Sequence, residues 1–104
     1  MVAEIHLANI YFTDVSASKI RPILLLKVNS FGDVLYLPLT TNIMVNGFKI
    51  DSSNLREGLL PKTSVVVHEK PGVIAKSLLI KKIGTLHAET HGEVMKALVD
   101  FIQK

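Results

Sequence analysis

The sequence predicts a small α+β domain, a curled antiparallel β-barrel, open or closed, followed by one C-terminal helix. Three observations lead there. Short apolar runs bounded by Gly, Pro, Asn, Asp and Ser recur along most of the chain, as strands and turns do. Only the last segment carries apolar residues at helical spacing. Strands that precede a helix, without alternating with helices, favour an antiparallel sheet over a parallel one. A chain of 104 residues fits a single domain, taken as 1–104.

Ala3 to Phe12 reads as the first strand, because Ile5 and Leu7 alternate with Glu4 and His6. Thr13 to Ile20 is a polar loop. Arg21-Pro22 opens the second strand, where a proline is tolerated at the first position. Ile23 to Val28 is apolar almost throughout, as in a central strand buried on both faces. Asn29-Ser30-Phe31-Gly32-Asp33 supplies hairpin residues, and Val34 to Leu39 is the return strand. From Thr40 to Leu60 the pattern weakens. Val45-Asn46-Gly47-Phe48 suits a turn, Asp51-Ser52-Ser53-Asn54 a short helical turn or an irregular loop, and Gly58 and Pro61 end the stretch. Thr63 to His68 is a strand by its β-branched Val65-Val66-Val67. Lys76 to Leu79 is a turn, and Leu79 to Leu86 a strand broken at Gly84. Thr90-His91-Gly92-Glu93 matches a capping box with Thr90 as N-cap. Val94, Met95, Leu98, Val99, Phe101 and Ile102 then form an apolar stripe that should pack on the sheet or on another subunit. The expected total is five or six strands and one helix.

Composition excludes several classes of function. The chain has no cysteine, so a disulfide scaffold, a zinc ribbon and a thiol nucleophile are ruled out. His6, His87 and His91 show no ligand spacing, so neither metal nor cofactor is expected. Met1 to His6 lacks a basic region ahead of an apolar stretch, and no apolar run approaches the ~18 residues of a membrane span. The chain therefore reads as cytoplasmic, with no membrane partner. Its net charge of +3 permits nucleic acid or an acidic partner without demanding either. Hydrophobic residues make up 48% of a chain this small, which hints at apolar surface hidden by self-association.

The candidate site begins at Arg21. If the second and third strands are antiparallel neighbours, the start of one lies beside the end of the other. Arg21 and Thr40 then share one edge of the sheet. A permanently charged planar fork beside a short adjustable hydroxyl suits a phosphate. Taken singly, each has a plainer explanation, Arg21 as a surface arginine, Thr40 and Thr41 as strand-end turn formers.

Five motifs in order carry a resemblance. Ile10-Tyr11-Phe12-Thr13-Asp14, Ser16-Ala17-Ser18-Lys19-Ile20-Arg21-Pro22, Leu37-Pro38-Leu39-Thr40, Gly58-Leu59-Leu60-Pro61-Lys62-Thr63-Ser64-Val65 and Lys82-Ile83-Gly84-Thr85-Leu86 occur in the sequence and spacing of the MazF/PemK-like toxins. The resemblance spans nearly the whole chain. It implies an SH3-like barrel, a homodimer, and a metal-independent endoribonuclease that cleaves single-stranded RNA, usually mRNA, within a short preferred sequence. It also implies a partner antitoxin whose acidic, extended tail covers the RNA groove. The family's arginine before proline and its threonine ending the third strand, which act at the scissile phosphate, fall on Arg21 and Thr40. The chain also departs from the pattern. Many members carry an arginine late in the strand at Thr63 to His68, where this chain has Val66, Val67 and His68, and a Gly near Ala3.

Cleavage without metal uses the RNA's own 2′-hydroxyl, so a base, an acid and a charge stabiliser are needed. Arg21 suits the last, an effect typically worth ~3–4 kcal/mol. Glu69 suits a base, and His68 has the pKa range for either proton role. Adjacent along an extended strand, those two would face opposite ways. Ser16, Ser18, Lys19, Thr41 and His68 are the expected RNA contacts. A non-catalytic nucleic-acid-binding or antitoxin-binding module on the same barrel is the alternative reading.

Overall fold

The apolar run from Ile23 to Leu26 lies at the heart of the longest strand. The computed structural model of the chain describes residues 3–11 and 18–104. Within them run β1 (Glu4–Tyr11), β2 (Ser18–Val28), β3 (Asp33–Thr40), β4 (Phe48–Ile50), β5 (Leu55–Gly58), β6 (Ser64–Val66), β7 (Gly72–Ala75), β8 (Leu79–Leu86) and α1 (Ala88–Gln103). Two 3-10 turns, Ser52–Asn54 and Lys76–Leu78, complete the elements. The strands form one sheet in the order β4-β6-β3-β2-β1-β8-β5, with β7 pairing on the same edge of β3 as β6. Every pair is antiparallel.

The connectivity forces the sheet to curl. β4 and β5 sit at opposite ends of the strand order, yet only residues 51–54 separate them. A flat sheet with strands ~4.8 Å apart would hold these ends about 29 Å from each other. The link from Ile50 to Leu55 reaches at most about 18 Å. The result is a curled half-barrel with one C-terminal helix, the fold class expected from the sequence.

Alternation along β2 splits the core in two. Leu24 and Leu26 join Ile5, Leu37, Leu39, Ile50, Val66 and Leu86 inside the curl, where Val94 and Leu98 of α1 also pack. Ile23 and Leu25 join Ala8 and Val34 on the other face, flanked by Ile10, Tyr36 and Ile74. The expectation of a strand buried on both faces holds: Ile23, Leu24, Leu25 and Leu26 are all buried.

Several expectations are corrected. Ser18 to Ile20 belong to β2, paired with Asn9 to Tyr11, and not to a loop; residues 12–17 lie outside the described residues. Pro22 thus sits within a strand, at the point where β2 has not yet met β3, whose ladder opens at Ile23. β4, β5 and β7 are additional short strands, and their brevity hides any period. Gly84 does not break β8. It lies buried inside it, opposite Ile5 on one side and Gly58 on the other, where its missing side chain lets the β5 backbone approach. The capping box is not at Thr90. α1 starts three residues earlier, with His87 as its N-cap and no side-chain cap bond. Thr90 is instead buried in the helix, its hydroxyl accepting from the Asn54 amide at 3.4 Å. The reciprocal cap belongs to the first 3-10 turn. Asp51 accepts from the Ser53 N–H at 2.8 Å while the Asn54 side chain accepts from the Asp51 N–H at 2.9 Å.

Candidate active site

Antiparallel pairing decides which side chains share the site. Asn29 fixes the turn between β2 and β3, its side-chain oxygen accepting from the N–H groups of Phe31 at 2.9 Å and Asp33 at 3.0 Å. Next to the turn Val28 stands opposite Val34; a bulge between Leu25 and Lys27 then shifts the register by one and sets Ile23 opposite Pro38. Carried two residues further, it brings Arg21 opposite Thr40, and opposed residues share a face. Both line one cavity of about 400 Å³, on the face turned away from α1. Ile10, Tyr36, Pro38, Val67 and Lys70 line it too.

The polar groups there are available to a ligand. Thr40 Oγ1 accepts from the Asn42 N–H at 3.1 Å, which leaves its own O–H to donate outward. The ion pairs among the described residues join Glu4 to His6 and Lys82, and Lys82 to Glu57. Arg21 and Lys70 take part in none of them. A forked cation and a free hydroxyl above an apolar floor make a site for an oxyanion. Tyr36 is half-buried, and that burial pushes its phenol above the ordinary tyrosine range, so it stays neutral. Its ring lies on the bare backbone of Gly72, its partner in the β3–β7 ladder. A Cβ on Gly72 would stand 2.6 Å from the tyrosine oxygen and 2.7 and 2.8 Å from Cζ and Cε2.

The family described as PemK-like, MazF-like toxins of type II toxin–antitoxin systems matches residues 3–102. The chain belongs to this family. Among solved structures, the Mycobacterium tuberculosis toxin MazF-mt6 is 24% identical, with a TM-score of 0.70 over 96% of each chain. A second structure, described as an Mtb toxin, is 23% identical, with a TM-score of 0.66 over 93% of this chain and 97% of that one. At these identities the likeness is one of fold. Comparison with curated proteins returned no match.

Of the remaining sequence candidates, Lys19 is on the same strand as Arg21. It is exposed on β2, two residues before Arg21 and opposite Ile10, which puts it at the rim. Ser18 opens β2 opposite Tyr11. Ser16 lies outside the described residues. Thr41 faces another hollow, of about 470 Å³, with Leu7, Pro22, Leu59 and Ile83.

His68 and Glu69 also part from Arg21. β6 ends at Val66, the Val67 N–H donates to the Pro38 carbonyl at 2.8 Å, and the chain turns, with Lys70 N–H donating to Val67 at 3.2 Å. The two residues therefore lie in a turn and not on opposite faces of a strand. They line one hollow of about 320 Å³ beside the end of α1, with Asn46, Asp100 and Phe101. The His68 ring stands edge-on to Phe101 at 6.1 Å. Lys70, at the end of the same turn, is the one that lines the Arg21 cavity. Sequence reasoning did not single out Tyr36 or Lys70. Tyr36 carried a signal, the even spacing of Tyr36, Pro38 and Thr40 along one strand face; Lys70 carried none.

Among the described residues no three His, Asp or Glu side chains gather as metal ligands, and no helix is long and apolar enough to cross a membrane.

Proposed function

We propose that this toxin is a metal-independent endoribonuclease that cuts single-stranded RNA, chiefly mRNA, by attack of the RNA's 2′-hydroxyl on the adjacent phosphate. The observation that carries the reading is that Arg21, in no ion pair among the described residues, lines one cavity with Thr40, whose O–H is left to donate. Attack forms a bond from the 2′-oxygen to phosphorus and breaks the bond from phosphorus to the 5′-oxygen. The products are a 2′,3′-cyclic phosphate and a 5′-hydroxyl. The crowded intermediate carries more negative charge than the diester, and Arg21 donates to its oxygens where that charge develops. Thr40 holds one phosphate oxygen in place. Lys19, at the rim, attracts the flanking phosphates, and Ser16, Ser18 and Thr41 contact the RNA beyond it. Glu69 and His68, in the adjoining hollow, meet RNA that runs past the cleft, and Glu69 serves as base only if the RNA path joins the two hollows.

Family membership implies an antitoxin partner. An acidic, extended tail fits the same cleft, because Arg21, Lys70 and Lys19 give it positive potential and tail folding can accompany binding. The chain acts in the cytoplasm, where mRNA is translated, and as a homodimer. Val99, Phe101 and Ile102 of α1 remain exposed in the single chain, which supports apolar surface covered by a second copy. Sedimentation velocity should show a dimer at micromolar concentration, and a stable monomer there would count against it.

A non-catalytic RNA- or antitoxin-binding module remains a second reading, favoured by one observation: among the described residues, neither carboxylate nor imidazole lines the Arg21 cavity. One assay separates the two. Purified protein and a long single-stranded RNA are incubated in excess EDTA, and the cuts are mapped by primer extension. Discrete cuts that persist in EDTA are expected. A requirement for Mg²⁺ or Mn²⁺ contradicts the proposed chemistry, and binding without cuts under any condition favours the second reading.

A further inference from the structure

Tyr36 and Lys70 are built into the cleft more firmly than a surface tyrosine and lysine need be. The segment that joins β6 to β7 is pinned to β3 at both ends, by the bond from Val67 N–H to the Pro38 carbonyl and by the pairing of Gly72 with Tyr36. Between these pins the turn sends His68 and Glu69 towards α1 and Lys70 into the Arg21 cavity. The absence of a side chain at Gly72 lets the Tyr36 ring pack against β7. Tyr36 lies four residues before Thr40 on the same face of β3, about 14 Å along the strand. A phosphate held at Arg21 and Thr40 and the nucleotide beside it can bridge that span. The wall between them is apolar, made by Pro38 and Val67.

From this arrangement we propose a nucleobase subsite, resting on the endoribonuclease reading for its substrate, in which Tyr36 stacks the base flanking the scissile phosphate and Lys70 reads its edge. An aromatic face accepts any base, so stacking alone gives affinity without sequence. Lys70 adds a choice. An ammonium offers three donors and no acceptor. Guanine and uracil turn a carbonyl oxygen towards such a donor, whereas adenine and cytosine turn an amino group there. The subsite therefore prefers a keto base, G or U, at one position next to the cut.

The test uses short RNAs that carry one mapped cut and differ only at the two flanking bases, plus uniform oligomers of U, A and C for binding. Wild type should cut the G or U versions roughly tenfold or more faster than the A or C versions, the scale of one lost hydrogen-bonding partner. Lys70→Met should bring the favoured RNAs down to the level of the disfavoured ones. Tyr36→Ala should raise KM for all four alike, by roughly fivefold or more, and Tyr36→Phe should keep most of the stacking. Uniform cleavage by wild type at both flanking positions, or an unchanged preference in Lys70→Met, overturns the subsite and leaves the endoribonuclease reading intact. Tighter binding of oligo-U than of oligo-A or oligo-C, lost in Lys70→Met, supports the subsite even without cleavage. If no RNA is then cut, the endoribonuclease reading alone falls.

Discussion

Arg21→Ala should lower RNA cleavage by two to three orders of magnitude and leave the melting temperature unchanged. The size follows from the loss of one donor fixed at the point where charge develops, about 10²–10³ in rate. The intact fold follows from the environment of Arg21. Its side chain is exposed, and no ion pair among the described residues holds it. Nothing in the core leans on the guanidinium. Arg21→Lys should fall between the two, because an ammonium keeps the charge and loses the planar fork. Single-turnover cleavage at saturating protein, with thermal melts alongside, checks both halves of the prediction. Near-normal cleavage by a folded Arg21→Ala protein would remove Arg21 from the chemistry.

Gly58→Ala should destabilise the fold by forcing open the seam between β5 and β8. Gly58 has a φ of +89°, a left-handed conformation that costs a side-chain-bearing residue roughly 1–2 kcal/mol. The seam leaves no room either. A Cβ there would run into the Ile83 carbonyl oxygen and stand 2.5 Å from the Gly84 Cα, both backbone atoms that cannot rotate away. The β5–β8 ladder must open to admit it, and that ladder ties the sheet's last strand in place. A total loss of roughly 3 kcal/mol or more corresponds to a fall of about 10–20 °C in Tm for a domain of this size. Gly92→Ala is the natural contrast. A Cβ at Gly92 meets nothing within 4 Å, and the residue is exposed within α1, so the change should stabilise by about 0.5–1 kcal/mol. Equal melting temperatures for the two variants would show that the seam at Gly58 is looser than its geometry implies.

The parts of the molecule that were legible in the sequence are those fixed by local rules. The hairpin of β2 and β3 could be read because turn residues at Asn29 to Asp33 join the two strands, but the bulge between Leu25 and Lys27, which shifts the register by one and so turns Arg21 towards Thr40, carried no signal in the sequence. β2 could be read as doubly buried because it lacks polar alternation. β5 and β7 could not. They are four residues long, with mostly exposed side chains, and they exist because the curled sheet offers them an edge. The capping box at Thr90 was a pattern without its context. The Thr90 hydroxyl is taken by Asn54, a residue 36 positions away. His68 and Glu69 read as strand residues because Val65 to Val67 are β-branched, yet the bond from Lys70 N–H to the Val67 carbonyl closes a turn directly after β6. The same turn delivers Lys70 to the cleft, a consequence of pairing between β3 and β7 that no short stretch of sequence encodes.

The chemistry of the cut decides the central claim, and the ends left on the RNA report it directly. RNA cleaved by wild-type protein in EDTA should carry a 2′,3′-cyclic phosphate, or the monophosphate from its hydrolysis, on the upstream fragment and a 5′-hydroxyl on the downstream one, as mass spectrometry of the fragments would show. A 3′-hydroxyl with a 5′-phosphate would mean that water and not the RNA's own 2′-oxygen attacks, and would contradict the role given to Arg21 and Thr40.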